Sequence, residues 1–194
     1  MPEPIVNRDG TDKNDCERHA AKRCVAKLRQ DHPHLKFMVT EDSLRSNAPH
    51  IETLHAHGLH DILGGKEGDH PYLFQQVQAA EHAGRVTDYE RHDRAVGVVH
   101  RFRFVNDMPL NAAHTNVRVH CIEYWEVGDA KVQHCTWVTD LRVSKRNVYH
   151  LMRGGRARWK IENETFNTLK NQGYHFEHNS AMASGICRSC LPCG

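Results

Sequence analysis

The chain has 194 residues, 39% of them apolar and 26% charged, with a formal net charge of +2. That is the composition of an ordinary soluble globular protein, long enough for one core or one domain with a sizeable insertion. No apolar run approaches the ~20 residues of a membrane span. The polar start "MPEPIVNRDGTDKNDCERHAAKR" has no apolar signal segment, so a cytoplasmic location is expected, with the seven cysteines mostly reduced.

In chain order, "NDCERHAAKRCVAKLRQ", residues 14 to 30, places Ala20, Ala21, Cys24, Val25 and Leu28 at helical spacing. Pro33 breaks that helix. "LKFMVTEDS", residues 35 to 43, suits a buried strand ending in two acids. "SNAPHIETLHAHG" predicts a second helix, with Pro49 in its first turn and Gly58 near its end. "LHDILGGK" predicts another short strand. Residues 69 to 84, "DHPYLFQQVQAAEHAG", predict a third helix stopped by Gly84. From Val86 to Val143 the texture changes to β-branched and aromatic runs separated by turn residues, the pattern of antiparallel strands, with "EVGDAKV" as a hairpin turn. His50, His55, His57 and His60 crowd one stretch without the paired spacing of a zinc-protease helix, and are read as solvated helix and turn residues.

A basic segment follows. Residues 141 to 170 hold Arg142, Lys145, Arg146, Arg153, Arg156, Arg158, Lys160 and Lys170 against Glu162 and Glu164 alone, a local charge of +6. Such a block is the footprint expected of a phosphate-backbone contact, although a solvated basic face would look the same. Wound as a helix, residues 157 to 179 place Trp159, Phe166 and Leu169 on one stripe, with Glu162 inside it. Arg158 stands one turn before Glu162, at ion-pair spacing. A carboxylate on a packed face needs a cation, a proton or a metal ion as partner. A second candidate acid is Asp42 at the end of its strand, where α/β sheets place ligands. Its neighbour Glu41 points to the opposite face. The residues alone do not choose between the two acids, and a helix-capping role for Asp42 stays open.

The segments "VTEDSLRSNAPHIETL", "ILGGKEGDHPYLF", "WVTDL" and "RARWKIENETFNTLKNQGYHFEHN" together resemble the DDE transposases of bacterial insertion sequences. They are most similar to the branch with a Tyr–Arg–Glu–Lys signature around its last catalytic acid. The resemblance runs from about residue 14 to 179 and is most specific at "RWKIE" followed by Phe166, Leu169 and Lys170. It implies an α/β, ribonuclease H-like mixed sheet with flanking helices and an antiparallel β insertion before the last catalytic helix. Asp42 would be the second catalytic acid and Glu162 the last, together ligating Mg²⁺ or Mn²⁺ for cleavage and transfer of DNA strands. Arg158 and Lys170 would be the signature DNA-phosphate contacts, with Arg156 and Lys160 in the same basic block. DNA would be the partner, with self-assembly or mixed assembly with an intact transposase.

Two positions depart from the signature. Gly155 stands where the tyrosine should, and the Glu162–Lys170 spacing is one residue longer. Asp9, Asp12 and Asp15 lie in a polar stretch without strand pattern, so the family's first acid has no counterpart. The expectation is therefore a truncated copy, inactive in catalysis by itself. Its alternatives are a DNA-binding remnant that inhibits the intact enzyme, or a non-functional decay product. The expected divisions are an incomplete core over residues 1–85, a β insertion over 86–145, and a helix over 146–179. A frame-shifted tail would occupy 180–194. A zinc reading of Cys187, Cys190 and Cys193 in that tail lacks a fourth ligand.

Overall fold

The computed structural model describes residues 17–128 and 132–160. The chain divides at Gly155 into two units, residues 1–155 and 156–194. In the first, α1 (Glu17–Asp31), β1 (Met38–Glu41), α2 (Ala48–Ala56), β2 (His60–Gly64) and α3 (Pro71–His82) precede a run of four strands: β3 (Thr87–Asp93), β4 (Val98–Pro109), β5 (Arg118–Val127) and β6 (Val132–Thr139). Helix α4 (Val148–Lys160) follows and crosses the division between the units. The protein is thus α/β, with a mixed six-stranded sheet in the order β1-β2-β6-β5-β4-β3. Only β1 and β2 are parallel; the other pairs are antiparallel. None of the described helices is long and apolar enough to cross a membrane.

The helices and strands predicted within the described residues form, with edges moved by a few residues, and the helix expected over 146–179 is described only as far as Lys160. The Asn47 side chain accepts from His50 N and caps α2, and Pro49 sits in its first turn. Gly58, at φ +64°, ends that helix in the left-handed region. Arg29 of α1 then ties the turn down, donating to the carbonyls of His57 (2.7 Å), Gly58 (2.9 Å) and Leu35 (2.8 Å). The predicted β insertion is not a separate sheet. It continues the parallel pair, because β6 docks beside β2 with Ile62 opposite Thr139, Leu63 opposite Val138 and Gly64 opposite Trp137.

Alternation along the strands sorts the core into two layers. One face carries Leu63, Val105, Met108, Val119, Cys121 and Val138 against α2 and α3. The other carries Ile62, Phe102, Phe104, Ile122, Tyr124 and Trp137 against Val148, Leu151 and Met152 of α4. A third cluster joins Val25 of α1 to Leu54 and Leu59. Burial pushes the Cys121 thiol up to about 12, so it is an inert apolar filler.

On the α4 face, Tyr89, Phe102 and Tyr124 lie opposite one another across β3, β4 and β5, and Trp137 stands 6.1 Å from Tyr124. Close approach of a helix backbone to such bulky rings requires positions without side chains. Helix α4 meets this with Gly154 and Gly155. A Cβ on Gly155 would stand 2.6 Å from the Trp137 ring, and one on Gly154 would stand 2.9 Å from Ile62 Cδ1. That gives a physical reason for glycine at position 155: the indole occupies the space.

Gly155→Ala should therefore destabilise the protein by roughly 1–3 kcal/mol through overpacking, although Ala is the better helix former by ~1 kcal/mol. Urea unfolding decides the sign, and a more stable variant would mean that the ring gives way. Glu123 supplies a pH test. Burial first, with Glu81 and Glu67 adding, raises its carboxyl above the ordinary range against the pull of Arg103 and His134. The folded state then holds this proton more tightly than the unfolded chain, so stability is lost as pH rises through the carboxylate range to the raised value. The stability gained by Glu123→Gln over the parent should accordingly grow as pH rises above the ordinary carboxylate value of about 4.3, in paired thermal melts.

Candidate functional site

Strands β1 and β2 run side by side in register, Met38 with His60 through Glu41 with Leu63, so their carboxyl ends coincide. Two acids leave β1 there, and the fold treats them differently. Glu41 is taken by the buried His50 of α2, Nε2 to Oε2 at 2.5 Å. Asp42 begins a single 3-10 turn, Ser43–Arg45, and its side chain caps nothing. Its Oδ1 is buried and has no hydrogen-bond partner. Of the two acids between which the sequence leaves the choice open, Asp42 is thus the one with a buried oxygen that has no hydrogen-bond partner among the described residues.

The next turn makes the same corner tight. A Cβ on Gly64 would stand 2.8 Å from Ser43 N, so only glycine lets the end of β2 approach this backbone. His70, entering α3, hydrogen-bonds the Ser43 backbone, and burial holds its imidazole below the usual histidine value. His70 Nε2 and Ser46 Oγ are, like Asp42 Oδ1, buried without a partner. Buried polar atoms are normally satisfied, and leaving one bare costs about 1–3 kcal/mol. A hard carboxylate oxygen held in this state is a fitting donor for Mg²⁺ or Mn²⁺. Of the other expected site residues, Arg156, Arg158 and Lys160 fall in the last turns of α4, within the second unit. Glu162 and Lys170, with the tail cysteines, lie outside the described residues. In the first unit, Arg142, Lys145, Arg146 and Arg153 are exposed around the start of α4.

A second polar centre was not expected. It lies at the opposite, amino end of β2, where Asp61 pairs with Val39. The Asp61 side chain is 0% exposed and stands 2.9 Å from Nε2 of His55 on α2. Asp140, just past β6, accepts from Asp61 N at 3.0 Å and stands 2.6 Å from His60 Nδ1. Thr139 Oγ donates to the Asp61 carbonyl at 2.6 Å. Burial raises the Asp61 carboxyl against the pull of His55, and the hydrogen bond to Asp61 raises His55 in turn. Three histidines read as solvated, His50, His55 and His60, are therefore carboxylate partners. The missed signal is in "HDIL": an acid on the strand face that Leu63 shares must be buried, and so needs a nearby donor.

Asp42→Ala should cost no stability in metal-free buffer and should raise it by up to about 1 kcal/mol, because it removes a bare buried oxygen. Chemical denaturation tests this, and a clear loss would mean that Asp42 has a structural partner. Neither a protein-family model nor a curated protein sequence matches this chain.

Proposed function

We propose that the chain is a DDE-transposase fragment that binds DNA and carries two acids of a metal-dependent strand-transfer site, Asp42 and Glu162. On this reading the mixed sheet is an incomplete ribonuclease H-like core. The observation that carries the proposal is Asp42. It stands at the carboxyl end of a parallel strand pair, with a buried oxygen that nothing among the described residues satisfies. A strand end of this kind is where open α/β sheets place ligands. A divalent cation bound there would supply Lewis acidity toward a phosphodiester. Arg156, Arg158, Lys160 and Lys170 would hold the DNA backbone, the guanidinium as a planar fork and the ammonium as a point charge. Strand β1 is an edge of the described sheet, paired with β2 alone.

The test is fluorescence anisotropy of the full chain on duplex DNA across a salt series. Affinity should fall steeply with salt, and replacing Arg156, Arg158 and Lys160 by Ala should reduce the log–log slope by about one per cation. Salt-independent binding, or a slope indifferent to all three cations, would sink the DNA reading. Strand cleavage with Mn²⁺ is expected to be absent. Cleavage that Glu162→Ala abolishes would show instead that the chain is a working nuclease.

A further inference from the structure

The geometry points to a second metal site, distinct from Asp42, in which His55, Asp61 and Asp140 bind a borderline transition cation of the Zn²⁺ class. One donor atom from each residue lies within 4.8 Å of the other two. Zinc holds nitrogen and carboxylate oxygen at about 2.0–2.2 Å, so a modest contraction around one ion satisfies all three. A mixed imidazole and carboxylate set selects Zn²⁺-like ions over Mg²⁺, which favours oxygen alone.

An independent observation supports a ligand there. Asp61 is wholly buried, His55 takes one of its oxygens, and Oδ1 has no hydrogen-bond partner. Two carboxylates converge on this point, and a dication would offset both. Asp140 is already oriented as metal-binding carboxylates are, by His60 Nδ1 from outside the donor set at 2.6 Å and by the backbone N–H of Asp61 at 3.0 Å. His55 and Asp140 keep 39% and 18% of their side-chain surface exposed, which leaves an entry path and a coordination position for water. The three ligands come from α2, β2 and the end of β6. An ion would therefore staple the parallel pair to the β meander, and its binding would appear as stability of the whole unit. The inference does not rest on DNA binding or on Asp42.

The experiment uses the full chain, stripped with chelator, in a background where Cys187, Cys190 and Cys193 are replaced by Ser to remove competing thiolates. Zn²⁺ is titrated calorimetrically and followed by thermal unfolding. Saturable binding of one ion per chain and a raised Tm are expected. His55→Ala and Asp61→Asn should each weaken binding at least about tenfold, whereas Glu90→Gln on β3, the opposite edge strand, should leave it unchanged. Absence of saturable binding overturns the site, as does affinity unchanged in His55→Ala. His55 is partly exposed, so its truncation leaves the fold in place and decides the matter even if Asp61→Asn fails to fold.

Discussion

The junction of β2 with β6 is the constraint on which the rest of the sheet depends. It consists of three register pairs, yet it is the one seam between the parallel pair and the four-stranded meander. Both core layers run through it: Leu63 and Val138 meet on the face toward α2 and α3, and Ile62 and Trp137 on the face toward α4. Polar bonds extend the seam at each end. Gly65 N donates to Thr136 O at 2.9 Å, and the Asp61–Thr139–Asp140 group closes the other end.

Those polar bonds supply register more than raw stability. An apolar seam of three pairs could slip, and a slip of one residue would turn every side chain to the wrong face. Here a slip would also pull the Thr139 hydroxyl from the Asp61 carbonyl and the Asp140 carboxylate from Asp61 N. The raised carboxyl of Asp61 measures how uncomfortable that position is for a charge. Asp42 Oδ1, also buried, takes part in no such bond among the described residues.

Much of this was legible from one sequence. Period 3.6 marked α1, α2 and α3, alternation marked β3 to β6, and turn residues marked most boundaries. The strand end that carries Glu41 and Asp42 was legible because a strand followed by a turn is a local pattern. The pairing of β6 with β2 was not, because periodicity reports a residue's face and never its distant partner. The histidine roles failed for the same reason. His50, His55 and His60 look solvated on a helix or turn until Glu41, Asp61 and Asp140 are brought to them by the sheet. Glycine at position 155 has no visible reason in the sequence, and the Trp137 ring beneath it supplies one.

The seam also has a history in time. Strands β3 to β6 pair as successive neighbours, so the meander closes only short loops. The Thr139–Asp61 bond, by contrast, joins residues 78 apart in sequence. Closing a loop of that length gains nothing until the partner surface exists, so it follows the local pairings. The meander is then the template on which the parallel pair condenses, and β2 is the last central strand to be enclosed. A chain caught before that step shows solvent a complete β6 edge, with Trp137 and Val138 still uncovered, and that is the species a chaperone would have to shield.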